Sequence, residues 1–436
     1  MANRNQQLRN SCRPVSARIP RQTGSVSLQL VVILVGVLFG LMGFAVDLGR
    51  LYSSRAELQS AANAIAMAEA SKLIGTTAAL NTADAAGKVT YENASNFGNK
   101  YDFGGYQIGQ DNGITNSEAP TKSYFDTIAS ALGLEGATGG EADGSTAKYV
   151  KVQVKGESQL LFWSFLPAAQ DRRVNLIAQS VAGVSSPVCT ACGIEPIALA
   201  AISTDDTTDF GFTLGTRYTL YHLCQGGAAP TVLANDAITA QYVLLNRLNE
   251  AANTFADETT QLFRTGMQGL APSTTQATAC LRVAADELVW ANTTPGGSCN
   301  AAVNSYVQGF VCGLANRFDQ NLPTVCQSIA EADGLSTVNA VDTDLTDLDD
   351  YSNYTGNTRR IITVAIVDAL SATATMNVQG FRQFLLEQIA NDVTLNPADT
   401  RGRFSAMYLG SKMPLRAGSI AGCQLTSGPG KVVLHQ

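Results

Sequence analysis

The sequence predicts an α+β protein. A single N-terminal transmembrane helix continues as a long amphipathic helix and leads into a mixed, disulfide-rich extracytoplasmic body. Three observations predict this. Residues Val26–Val46, VSLQLVVILVGVLFGLMGFAV, form an apolar run without a charge, and a helix of roughly 20 such residues crosses a bilayer core. Charge divides at that run: residues 1–21 hold five arginines and no acid, and the rest of the chain holds 24 basic and 36 acidic residues. Cysteine divides there too, with Cys12 before the run and eight after it. The bulk composition excludes other classes. At 45% hydrophobic the chain can bury a core, and at 436 residues it has room for two or three domains. A net charge of -7 gives no reason to expect nucleic acid as a partner, and two histidines argue against a histidine-rich metal site.

The elements follow in order. Residues 1–25 are a basic tail, residues 26–46 the membrane helix and residues 47–75 its helical extension. The positive-inside rule puts the arginines in the cytoplasm and residues 47–436 on the other side. A cleaved signal peptide is the competing reading, but the run is longer than an ordinary h-region and no small-x-small site precedes Asp47–Arg50. Gly36-x-x-x-Gly40 would allow helix–helix association through the membrane segment, although glycine is also common in membrane helices. Gln29 needs a hydrogen-bond partner in hydrocarbon or a reach to the interface. Past Asp47 the spacing stays helical to about Leu73, with Leu48, Leu51, Tyr52, Leu58, Ala62, Ile65 and Ala66 near one side. The many alanines favour helix and permit close packing.

Residues 76–185 read as a small α+β domain. A strand is expected in YDFGGYQIG, a helix over Tyr124–Leu134, and a surface loop in the glycine-rich GATGGEADG, which lacks the G-K-[ST] ending of a phosphate loop. KYVKVQVKGESQ alternates as a strand, with Val150, Val152 and Val154 on one face. LLFWSFLP, with Phe162 and Trp163, is expected to be buried against it, and RVNLIAQSVAGV closes the unit as a second strand.

Residues 186–436 read as a cysteine-rich α+β domain. A turn and strand are expected in DFGFTLGTRYTLYHLC. Helices are expected at Ala234–Asn249, Phe255–Gly266, Ala277–Ala291, Ala301–Arg317, Thr324–Ala332 and Val378–Ile389. Strands are expected at Arg360–Val367, in RGRFSAMYLG and in KVVLH. Cys189, Cys192, Cys224, Cys280, Cys299, Cys312, Cys326 and Cys423 are the expected structural cystines. Their even number suits an oxidising compartment, and their pairing is not determined by sequence. Cys189-Thr-Ala-Cys192 could instead be a redox pair or half of a zinc site, but no second CxxC follows.

The segment Asp342–Asp350, VDTDLTDLDD from Val341, has the charge of a calcium loop but not the central glycine or terminal glutamate of an EF-hand, so a solvated acidic turn is the plainer reading. Asp368-Ala-Leu-Ser371 approximates the D-x-S-x-S metal motif of von Willebrand-type domains, with the serine one position late. No GxSxG or HExxH motif occurs, nothing orients His222, and the penultimate His435 suggests a loose terminus. No enzyme activity, cofactor or catalytic residue is expected.

The segment from Arg21 to Ala70 resembles the N-terminal module of TadE/TadG-like proteins of tight-adherence (Flp) pilus assembly. The features that carry the resemblance are a basic leader, Gly24, an apolar helix, the GFAVDLGRLY junction from Gly43 to Tyr52, and LQSAANAIAMAEA from Leu58. The resemblance implies a single-pass protein of the bacterial inner membrane with a cytoplasmic N-terminus and a periplasmic body. It would act as a minor pseudopilin or accessory scaffold beside other assembly proteins. An exported adhesin or ligand-binding module using the same anchor is the alternative. The resemblance also makes Gly24 a possible processing site. Position five of the mature chain would then be Gln29, where the family's pseudopilins carry glutamate, so an uncut chain is expected.

Overall fold

The computed structural model describes residues 25–92, 119–135, 140–160, 162, 173–224, 230–233, 236–245, 280–283, 288–289, 305–318, 324–332, 341–371, 376–388 and 395–435. Two compact units divide the chain. One is Met1–Ser54 with Glu157–Asn175, and the other is Arg55–Gly156 with Leu176–Gln436.

Helix α1, Ser25–Ala70, is unbroken, as the absence of Pro and the run of alanines require. Helix α2, Ala79–Glu92, follows in a stretch whose polar, small residues suggested no element; its threonines satisfy their hydroxyls on carbonyls one turn back, Thr82 on Ala78 and Thr90 on Ala86. Strand β1, Thr121–Phe125, takes the first residues of the helix expected at Tyr124–Leu134. The helix is only α3, Ile128–Leu132, capped by the Thr127 side chain and ended at Gly133, whose φ of 67° lies in the left-handed region. Strands β2, Tyr149–Gln159, and β3, Arg173–Val184, complete the local hairpin. The strand expected in YDFGGYQIG lies outside the described residues.

Strands β4, Thr190–Cys192, and β5, Ile197–Ala200, precede β6, Arg217–His222, and β7, Ile238–Leu244. Strands β8, Cys280–Arg282, and β9, Leu288–Val289, lead to helices α4, Ser305–Ala315, and α5, Thr324–Ala332. Then come β10, Ile361–Val367, β11, Met376–Glu387, β12, Phe404–Gly410, β13, Ala417–Ser419, and β14, Val432–His435.

Three of the expected helices are strands, for one physical reason. Residues 238–244, 280–282 with 288–289, and 376–387 are short segments whose spacing does not distinguish helix from buried strand. The decision falls to pairing: β7 lies between β5 and β6, and β11 lies between β10 and β12. With both edges paired and nearly every β11 position buried, no polar alternation survives in the sequence. The helix expected at Phe255–Gly266 lies outside the described residues.

The pairings close a ring. β10 runs parallel to β5, β5 antiparallel to β7, β7 parallel to β6, β6 antiparallel to β12, β12 to β11, and β11 back to β10. All six strands feed one buried cluster, through Ile197, Leu220, Tyr242, Val364, Phe384 and Phe404 among others, so side chains fill the barrel. Helix α4 packs Val307, Phe310 and Val311 into the same cluster. A separate antiparallel sheet has the order β1-β2-β3-β14. Its last strand comes from the C-terminus, with Val432 opposite Val184, so the segment after residue 186 returns to complete the sheet of the segment before it. His435 is therefore a paired strand residue whose ring meets Tyr149 edge-on at 5.4 Å between centroids, not a loose end.

Candidate functional site

Within the first unit, α1 exposes its apolar side chains from Leu28 to Met42, Phe39 at 69% and Val32 at 65%. This stretch is long and apolar enough to cross a membrane, and water would not tolerate so large an unbroken apolar surface. Burial begins at two residues one helical turn apart, Gly43 and Asp47. A Cβ on Gly43 would stand 2.8 Å from the Phe162 Cβ and 2.9 Å from its Cγ, so no other residue leaves room for that side chain. Asp47 Oδ2 accepts a hydrogen bond from the Phe162 backbone N–H at 3.0 Å. The glycine and aspartate of the GFAVD junction thus form a seat for Phe162, three residues past the end of β2. Phe162 is not the expected core residue: it is 48% exposed. Trp163 lies outside the described residues.

In the second unit, α1 changes character. Leu58, Ala61, Ala62, Ile65, Ala66 and Ala70 are fully buried at helical spacing. They pack with Val150, Val152, Val154, Ala178 and Ala182 of the four-stranded sheet, and the alanines let helix and sheet approach closely. Gln59 Nε2 adds a 2.7 Å hydrogen bond to the Gln179 carbonyl. The buried stripe starts later than expected, since Leu48 and Tyr52 are exposed.

Glu69 lies on the buried side of that stripe, fully inaccessible. Lys122 Nζ is 2.9 Å from its Oε1, and the Tyr124 hydroxyl donates to its Oε2 at 3.2 Å. Lys122 also meets Asp84 at 2.5 Å. Burial pushes the Glu69 carboxyl above its ordinary range, and Lys122 opposes that shift. For Lys122, burial acts to lower the ammonium value, but the Asp84 and Glu69 carboxylates prevail and hold it above the usual range. Gly87 of α2 makes the room Glu69 needs, since a Cβ there would be 2.7 Å from its Cδ. Sequence reasoning passed over Gly43, Asp47 and Glu69. The available signal for Glu69 was a carboxylate on the apolar side of an alanine-rich helix.

The cystines hold the body. Cys189 bonds to Cys423, Cys192 to Cys280, and Cys312 to Cys326. Cys224 is also disulfide-bonded, and Cys299 lies outside the described residues. The two cysteines of the CxxC therefore bond to different partners. Cys192 and Cys280 face each other on β4 and β8, and the Cys312–Cys326 bond ties α4 to α5. Gly24 lies outside the described residues.

The acidic segment makes a set of internal bonds. Asp342 accepts from the Tyr354 hydroxyl at 2.6 Å, Arg360 N at 2.9 Å and Asp344 N at 3.0 Å. Asp344 accepts from Thr346 and Thr355, Asp347 pairs with Arg217 at 2.6 Å, and Asp350 caps a turn through Ser352. Asp368 accepts from Ala369 N, Asn377 N and the Asn377 side chain. Among the described residues no group of three or more His, Cys, Asp or Glu side chains is arranged to hold a metal ion.

Elsewhere, buried ion pairs join the barrel to its covering segments: Arg317 with Glu195 at 3.0 Å, Arg360 with Glu387 at 3.7 Å and Arg217 with Asp236 at 3.3 Å. Burial raises Glu387 to about 8 despite Arg360. His222, packed edge-on against Tyr242, is lowered by burial to about 4 and is therefore neutral at physiological pH.

No curated protein and no solved structure matches the chain. Residues 24–68 do match one family model, Tad, described as "Putative Flp pilus-assembly TadE/G-like", and the match coincides with nearly all of α1, so this segment is similar to the TadE/G-like module of Flp pilus assembly.

Proposed function

We propose that this protein is a non-enzymatic accessory scaffold or minor pseudopilin of Flp pilus assembly, held in the bacterial inner membrane. In this reading the arginine-rich tail faces the cytoplasm, the apolar half of α1 spans the bilayer, and the cystine-bonded body works on the periplasmic side beside other assembly proteins. The observation that carries it is the coincidence of the Tad match with one helix that is apolar and exposed in its first half, and buried against a sheet in its second. The five N-terminal arginines support the orientation, and cystines at 189–423, 192–280 and 312–326 support an oxidising compartment for the body.

Crosslinking in intact membranes followed by co-purification tests the role, with capture of inner-membrane pilus-assembly proteins as the expected result. A deletion strain that still builds pili but no longer attaches to surfaces would overturn it in favour of an adhesin. Protease added to spheroplasts should digest the body and spare the N-terminal tail.

A further inference from the structure

We propose that Phe162, in the segment that follows β2, is a second membrane contact that enters the bilayer at the C-terminal end of the apolar helix. Phe162 rests on Gly43, and its N–H is bonded to Asp47. Gly43 lies inside the stretch between Arg21 and Asp47 that holds no charge. The neighbouring helix side chains at that level, Met42 at 65% and Phe44 at 54%, are exposed apolar groups that only lipid would cover. A side chain fixed against Gly43 is at the same depth, so the exposed half of the Phe162 ring meets the same lipid. Four residues separate Gly43 from Asp47, a rise of about 6 Å, which puts Phe162 just below the charged boundary where aromatic rings settle.

Asp47 has a defined part in this. A carboxylate at the end of a membrane helix is costly unless hydrogen-bonded, and Phe162 supplies a donor while Asp47 accepts a backbone N–H that lipid could not satisfy. Each group removes the other's desolvation cost. Gly43 is required because any Cβ would displace the ring. The occupant of this surface is therefore lipid at the interfacial edge of the acyl region.

The inference rests on the reading that the apolar half of α1 spans a bilayer, and the test separates the two. In full-length protein with Trp163→Phe and Trp290→Phe, a single tryptophan is placed by Phe162→Trp or, separately, by Phe44→Trp. Each variant is reconstituted into vesicles of phosphatidylcholine with or without bromine high on the acyl chains. Both are expected to emit at blue-shifted wavelengths and to lose emission in brominated vesicles. Adding Gly43→Leu should restore the emission of the tryptophan at 162 and leave that at 44 quenched. Quenching at 44 but not at 162 would overturn the Phe162 contact while the anchor stands. Quenching at neither position would overturn both readings. Quenching at 162 that persists with Gly43→Leu would overturn the seat on α1.

Discussion

Replacing Gly87 with alanine is the sharpest perturbation of the helix–sheet joint. In an ordinary helix interior this change gains about 1 kcal/mol, because alanine is the better helix former. At position 87 the new Cβ would stand 2.7 Å from Glu69 Cδ and 2.8 Å from its Cγ. Glu69 is fully buried, with Lys122 at 2.9 Å and Tyr124 at 3.2 Å holding its two oxygens. It can yield only by opening the gap between α1 and α2 or by leaving its partners. Overpacking costs about 1–3 kcal/mol, and stripping a partner from a buried ion pair about 3–5 kcal/mol. Set against the propensity gain, the net expectation is a loss of about 2 kcal/mol. Urea denaturation of the detergent-solubilised protein, followed by circular dichroism, measures it. In a Glu69→Ala background the clash disappears, so Gly87→Ala should there become neutral or favourable by about 1 kcal/mol. If Gly87→Ala stabilises the otherwise unaltered protein as it would an exposed helix, the account of Glu69 is wrong.

Three further predictions concern the body. Glu387, raised to about 8, contributes stability that is complete below about pH 4.5 and is lost as pH rises through 8. His222, lowered to about 4, contributes stability that is complete above about pH 6.5 and is lost as pH falls through 4. The two oppose each other between about pH 4.5 and 6.5, so thermal stability should be nearly level from about pH 5 to 6.5 and fall by about 2 kcal/mol towards pH 8, and Glu387→Gln should abolish the fall. Removing the Cys312–Cys326 bond by double alanine substitution opens a 14-residue separation and should cost about 3 kcal/mol in denaturation experiments. Asp342→Ala leaves the donors of Tyr354, Arg360 and Asp344 without an acceptor and should cost about 2–4 kcal/mol, whereas adding calcium to the unaltered protein should leave its thermal midpoint unchanged.

The contrast between α1 and β11 shows where sequence reasoning succeeds. A helix long and apolar enough to cross a membrane is legible because its composition is uniform along its length: 21 residues from Val26 to Val46 carry no charge. Leu58, Ala62, Ile65 and Ala66 were also legible, because a helix packed on one face repeats its burial at helical spacing. In β10 the uniform run IITVAIV was legible through its β-branched residues. β11 was not, because MNVQGFRQFLLE is covered on both faces and paired on both edges, which erases the two-residue period.

The candidate site divides in the same way. Sequence alone determined the long apolar helix, the charge asymmetry between the segments before and after it, and the accumulation of cysteines after it, since these depend on local composition. Only the tertiary structure decided that Gly43 and Asp47 receive Phe162 from more than 100 positions away, that Cys189 and Cys192 bond to separate distant partners, and that six strands close a barrel while the C-terminal strand β14 returns to an earlier sheet. Those outcomes depend on pairings between distant segments, and no local spacing encodes which strand edge or which thiol a residue will meet.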